Sequence, residues 1–208
     1  GRSAIASAAY RHAEKIQDDR TGVLHDYTRK RGVSHSELIG FSGTRSELWN
    51  LAEQAEKRKD ATVAREYEIA LPVELSSEQK IALSHAYGEW LNQRHKVAVD
   101  VAIHELDSSN PHAHIMTTTR VITEDNLLGE KAAREWSDSR RKKMGLPGRK
   151  VDLEEARKQW EILANRMLER SNQRVRIDHR SLSDQGIERV PQIHLGPHVV
   201  EMEKRGIA

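Results

Sequence analysis

The chain has 208 residues, enough for one domain with a substantial core and too few for two of ordinary size. With 34 Lys and Arg against 32 Asp and Glu, the formal net charge is only +2, which excludes a histone-like polycation and makes any nucleic-acid surface a local one. The absence of cysteine excludes disulfides, thiolate-bound zinc and thiol nucleophiles, so a metal site must use His, Asp and Glu.

In chain order, Ser3 reads as the N-cap of an Ala-rich helix running to Ile16, with Ile5, Ala9, Ala13 and Ile16 near one face and Tyr10 beside that stripe. Val23 to Ile39, punctuated by Gly22 and Gly32, reads as short extended pieces or a hairpin. Thr44 and Glu47 have capping-box spacing ahead of a second amphipathic helix through Leu48, Leu51, Ala52 and Ala55. Arg65 to Leu71 reads as a strand ending at Pro72, with Tyr67, Ile69 and Leu71 on one face and Glu66, Glu68 and Ala70 on the other. Ser76 and Gln79 open a helix to about Arg94. Two strands follow, Val97 to Glu105 and His112 to Thr119, joined by the polar turn Asp107 to Pro111. Thr123 to Lys150 is irregular and partly basic, and is expected to be a mobile loop or an insertion. Leu153, Ala156, Trp160, Leu163 and Met167 recur at helical spacing, giving a long helix to about Arg170, and Val175 to His179 is expected as a last strand. The layout is α+β: an antiparallel sheet with helices packed on one face, in a single domain spanning 1–208.

No stretch approaches the ~20 apolar residues of a membrane helix, so the expectation is a soluble, cytoplasmic protein with no membrane insertion. The chain opens at Gly1 without a methionine and closes soon after the charged segment Glu201 to Arg205, which reads as a fragment of a longer protein.

Strand alternation isolates the candidate chemistry. Val97, Val99, Val101 and Ile103 face one side, which sends Asp100 and His104 to the other. Ala113, Ile115 and Thr117 face the core from the next strand, so His112 and His114 join His104 across the hairpin. Three neutral imidazoles suit a divalent metal with open coordination positions, as a Lewis acid requires. An isolated His-x-His on a strand is more often a surface feature; the third histidine at a partner position is what shifts the balance. Glu68, and less so Glu66, lies where a carboxylate would fix a ligand's tautomer or take a proton. Without cysteine, a nucleophile must come from Ser, Thr, Lys, a carboxylate or Tyr. Tyr67 and Tyr87 read as packing residues, and the residues alone leave both Tyr10 and Tyr27 open. The basic run Arg140, Arg141, Lys142 and Lys143 could track phosphates or be a solvated loop. Aromatic residues make up only 4%, so extensive base stacking is not expected.

Several separated blocks occur in one order: Gly1 to Arg11, Asp26 to Glu37, Glu68 to Pro72, Ala102 to His104, Asn110 to Met116, and Ile177 to Leu182 leading to Gly186 to Arg189. Through these blocks the chain resembles the MobA/MobL relaxases of mobilisable plasmids, members of the HUH endonucleases. The resemblance implies a five-stranded antiparallel sheet with helices behind it, Tyr10 as nucleophile, and His104, His112 and His114 as metal ligands. It also places Glu68 where such relaxases carry an active-site carboxylate. It implies metal-dependent, site- and strand-specific nicking at a plasmid origin of transfer through a 5′-phosphotyrosyl intermediate. Mg²⁺ or Mn²⁺ is the expected ion, although three imidazoles also accept Zn²⁺ or Ni²⁺. The expected partners are single-stranded or hairpin plasmid DNA, accessory relaxosome proteins and a coupling protein, in a bacterial cytoplasm. Arg11, Arg140, Arg141, Lys142, Lys143 and Arg180 are the candidate DNA contacts. The alternatives are a rolling-circle initiator or transposase with the same chemistry, a three-histidine zinc hydrolase, and a non-catalytic origin-binding module. One departure is that the family carries a short strand ahead of the tyrosine helix, whereas this chain starts inside that helix.

Overall fold

Val97–His104 is buried at every position, and the sheet is built around it. A computed structural model describes residues 3–58, 60–189, 202 and 206. It divides into two compact units, Gly1–Ile177 and Asp178–Ala208, and the first carries the sheet.

The elements in order are α1 (Ala4–His12), β1 (Lys15–Gln17), β2 (Leu24–Asp26), β3 (Val33–Ile39), α2 (Arg45–Gln54), β4 (Ala64–Ala70), α3 (Ser77–His95), β5 (Val97–His104), β6 (His112–Ile122), β7 (Leu128–Lys131), a 3₁₀ turn (Ala133–Glu135), α4 (Asp138–Lys143) and α5 (Arg149–Arg170). The main sheet runs β3-β5-β6-β4, all antiparallel, with β7 added to the far end of β6. The α+β class and the antiparallel sheet are as expected from alternation.

The buried odd positions of β5, from Val97 to Ile103, pack with Ile115, Tyr87 and Leu91 under α3, and Trp160 and Leu163 of α5 lean on that cluster. The opposite face is also covered, by Ala4, Ile5, Ala8 and Ala9 of α1 and Leu48 and Trp49 of α2, packed on Ala98 and Met116. Helices therefore occupy both faces, where the sequence reading placed them on one. The small residues of α1 allow that close approach, and α1 thereby brings Tyr10 to the histidine-bearing face.

Four elements depart from expectation. The first helix stops at His12, because Ala13 turns into the left-handed region at φ 54, and Ile16 falls instead in β1, paired with His25 of β2. Thr123 to Lys150 is structured: β7 pairs with β6, and α4 starts at an N-cap in which Ser137 accepts from Arg140 N. Val175 to His179 forms no strand. The backbone groups of Ile177 are taken by a side chain of α5, with Asn165 Nδ2 donating to Ile177 O and Asn165 Oδ1 accepting from Ile177 N. Finally, α5 begins at Arg149, a turn earlier than its apolar stripe. The capping boxes at Thr44 and Ser76 form as read.

Candidate metal centre and tyrosine

Register carries the histidines together. His104 is paired directly with His112, and Ala102 with His114, so His112 and His114 flank His104 on one face of adjacent strands. The ring centroids lie 4.8 Å apart for His104 and His114, and 5.3 Å for each of the other two pairs. Each ring offers a nitrogen, and these nitrogens lie within 4.8 Å of one another.

The outer hydrogen bonds fit a ligand role. His112 Nδ1 donates to Asn110 O at 2.8 Å, and His114 Nδ1 donates to Glu66 Oε1 at 2.8 Å, which leaves the Nε2 lone pair on both. His104 Nε2 donates to Arg11 O at 2.6 Å, which leaves its Nδ1. Oxygen acceptors of this kind fix the tautomer of a metal-binding imidazole and raise its basicity. Burial above all, with Lys30, His114 and His112 adding to it, pulls the His104 imidazole down to about 4 despite the Arg11 carbonyl, so it is neutral at physiological pH. The donor set is that of an open divalent site: three imidazoles and no fourth protein ligand among the described residues.

The carboxylate on the cluster is Glu66. Sequence reasoning favoured Glu68, which pairs with His114 through its Cα position in β4 yet makes no side-chain hydrogen bond to a histidine among the described residues. Glu66 stands opposite Met116, one pleat further along the same face, and its side chain reaches His114 Nδ1 from there. It also accepts two bonds from Arg11, Nε to Oε1 at 2.6 Å and an NH2 to Oε2 at 3.1 Å. Burial pushes the Glu66 carboxyl up, but the hydrogen bonds and charges of His114 and Arg11 outweigh it and hold it at about 2. Alternation could place both glutamates on the right face; it could not rank them.

Tyr10 stands on the outer side of α1, 43% exposed, and Tyr27 meets it edge-on with centroids 5.3 Å apart. A cleft of about 690 Å³ lies beside them, lined by Ser3, Ala6, Ser7, Tyr10, Arg11, His25 and Tyr27. The bond from His104 to Arg11 O ties the histidine cluster to the residue following Tyr10. α1 is held at its other end by Ala4 N donating to Glu53 Oε1 at 2.6 Å, and near its C-terminus by His12, whose Nε2 lies 3.0 Å from the fully buried Asp100. Asp100 also accepts from Arg45 Nε and Trp49 Nε1, at 2.9 and 2.8 Å. Sequence reading put Asp100 on this face and missed its partners, which come from distant helices.

The basic candidates separate. Arg11 is engaged by Glu66 beside Tyr10. Arg140 stacks over Trp136 with its guanidinium carbon 3.8 Å from the ring centroid, and Lys142 and Lys143 are exposed. Arg141 is drawn inward: it is buried and donates to Pro147 O and Ala133 O, so it braces the α4 region and does not face a ligand. Arg180 lies in the second unit, ion-paired with Asp178 at 2.7 Å.

The profile of the MobA/MobL family matches residues 2–205. This chain belongs to the MobA/MobL family. The domain is 42% identical over 99% of its length to a mobilization protein MobL of Acidithiobacillus ferridurans, covering 61% of that protein. It is 36% identical over its whole length to mobilization protein A of Escherichia coli, covering 29%, and 35% identical over 99% to a conjugal transfer protein TraA of Rhizobium radiobacter, covering 21%. The MobA/MobL domain thus spans between a fifth and three fifths of these relatives. A solved structure described as "Molecular Basis of Vancomycin Resistance Transfer in Staphylococcus aureus" superposes with a TM-score of 0.72 at 30% identity, covering 87% of this chain and 92% of that one. Among the described residues no helix is long and apolar enough to cross a membrane.

Proposed function

We propose that this domain is a DNA relaxase, nicking one strand at a plasmid origin of transfer and holding the cut end on Tyr10 as a 5′-phosphotyrosyl ester. The observation that carries this reading is the bond from His104 to Arg11 O, which seats a three-imidazole cluster against the helix turn bearing an exposed tyrosine. The relatives named for mobilisation and conjugal transfer supply the biological setting. His104, His112 and His114 would hold a divalent ion, Mg²⁺ or Mn²⁺ in the cell, whose Lewis acidity would polarise the scissile phosphate. Glu66 orients His114 and restrains Arg11, so the ligand cluster and the tyrosine helix share one carboxylate. The cleft beside Tyr10 and Tyr27 offers room for the nucleotide adjoining the scissile bond. Exposed Lys142 and Lys143, with Arg140, are the remaining candidates for phosphate contacts further from the cut. In this setting the DNA arrives single-stranded or as a hairpin, with accessory relaxosome proteins and a coupling protein, in the bacterial cytoplasm.

Transesterification conserves the energy of the cleaved phosphodiester, so the same site reseals the strand. The test uses labelled single-stranded oligonucleotides spanning the transfer origin of the plasmid that carries the gene, incubated with Mn²⁺ and then denatured in detergent. A covalent protein–DNA adduct is expected from the wild type and from Tyr27→Phe, and none from Tyr10→Phe. An adduct that persists in Tyr10→Phe and disappears in Tyr27→Phe would assign the wrong tyrosine to the reaction.

A further inference from the structure

The loop between β2 and β3 carries a feature that the nucleophile and the ligand cluster leave unused. Asp26 Oδ1 accepts from Thr28 N at 3.1 Å and Thr28 Oγ1 at 2.7 Å, which fixes the start of the loop as a local turn. Tyr27 N donates to Glu14 O, just past α1, and Lys30 N donates to Tyr27 O. At the other end Glu105 N donates to Gly32 O, at a residue whose φ of 93° favours glycine. The loop is therefore moored both to the end of the tyrosine helix and to the end of the strand that carries His104.

What this mooring delivers is Lys30. Its Nζ lies 4.6 Å from the centroid of the Tyr10 ring. The Arg11 guanidinium carbon is 5.4 Å from the same centroid, but Arg11 is neutralised by Glu66. Among the described residues Lys30 pairs with no carboxylate, and it is close enough to His104 to disfavour that ring's charged form. One uncompensated ammonium thus sits beside the nucleophile and near enough to His104 to act on it. Burial and the nearby Arg11 pull it below the usual lysine range, as desolvation of a cation requires.

Building on the assignment of Tyr10 as nucleophile, we propose that Lys30 is a further catalytic residue, an ammonium that offsets the charge gathering on the Tyr10 oxygen and the scissile phosphate. A cation over a neutral ring gains only the quadrupole attraction; its attraction to the ring grows as the phenol ionises, so its effect is larger in the transition state than in the ground state. In the step itself the Tyr10 Oη–P bond forms as the P–O3′ bond breaks. The phenolic proton leaves to solvent, the 3′ oxygen takes up a proton, and Lys30 keeps its own protons throughout.

The test compares Lys30→Met and Lys30→Arg in the full chain by adduct formation at saturating oligonucleotide and Mn²⁺ across pH, with DNA affinity measured separately by fluorescence anisotropy. Lys30→Met should slow adduct formation about 100-fold, the scale for losing one preorganised electrostatic group. The rise of its rate with pH should move to higher pH while affinity stays within about threefold, and Lys30→Arg should recover most of the rate. In the absence of DNA, the alkaline absorbance titration of the Tyr10 phenol, isolated by subtracting the Tyr10→Phe trace, should move to higher pH in Lys30→Met. If Lys30→Met loses affinity but keeps the saturated rate, Lys30 only holds DNA and the inference is overturned; an unmoved phenol titration or an Arg variant as slow as the Met variant overturns it too. Persistence of the adduct in Tyr10→Phe would instead defeat the parent assignment, whereas loss of the adduct in Tyr10→Phe beside an unaffected Lys30→Met defeats this inference alone.

Discussion

Replacing Glu66 with Gln probes the link between the ligand cluster and the tyrosine helix. The carboxylate accepts three bonds, one from His114 and two from Arg11, and its low proton affinity, at about 2, reports how strongly those donors hold it charged. The amide keeps the shape but offers one acceptor oxygen, turns its other end into a donor facing Arg11, and removes the charge that makes His114 a better ligand. Loss of such an outer carboxylate costs about 10–100-fold in metal affinity, or about 1.4–2.7 kcal/mol. Glu68→Gln removes an exposed carboxylate with no bond to a histidine and should change affinity by no more than about twofold. Calorimetric titration of Mn²⁺ or Ni²⁺ into the two variants near neutral pH decides between them. Wild-type affinity in Glu66→Gln with a tenfold loss in Glu68→Gln would refute the assignment of Glu66 as the outer carboxylate.

Acidification should destabilise the metal-free protein in two overlapping windows. The unfolded His104 imidazole protonates near pH ~6.5 while the folded one resists to about 4, so stability is full above about 6.5 and falls as pH drops through that interval. Glu66 adds stability above its unfolded pKa of about 4.3, lost as pH falls toward about 2. Urea midpoints measured against pH should therefore decline below neutrality, and His104→Gln should flatten the upper window; an unchanged slope in that variant would exclude the mechanism. Asp100→Ala removes the acceptor of Arg45 and Trp49 from a fully buried position, leaving the Arg45 charge with Glu14 and Ser36 as its remaining partners among the described residues. Urea denaturation should show a loss of about 3–5 kcal/mol, and a loss below about 1 kcal/mol would mean that solvent reaches Arg45 freely.

The β5–β6 hairpin and its histidines were legible because alternation is enforced by burial: a one-residue slip would turn Val99 and Val101 to the polar face. Capping boxes were legible for a similar reason, since they are satisfied within four residues. What escaped was set by distant partners. Ala13 ends α1 in a left-handed turn that its sequence does not announce, and Ile177 loses a strand to the side chain of Asn165. Arg141 looked like its neighbours Arg140 and Lys142 in a basic run, but two carbonyls claim it. Glu66 and Glu68 share a face, and only side-chain reach separates them. Lys30 was visible as part of the conspicuous block after Tyr27, yet its place over Tyr10 depends on three moorings from α1, β2 and β5.

The complete burial of β5 sets up an unequal resistance to local opening. His104 rides on a strand flanked by hydrogen-bonded neighbours on both edges and covered on both faces, whereas Tyr10 rides on a nine-residue helix that buries Ile5, Ala8 and Ala9 on one side and leaves Tyr10 exposed on the other. Amides of β5 and β6 are expected to exchange more slowly than those of α1, as hydrogen-exchange measurements would show. A displacement of α1 would break the bonds from His104 to the Arg11 carbonyl and from Arg11 to Glu66, so the tyrosine helix and the histidine cluster resist local opening together where they meet.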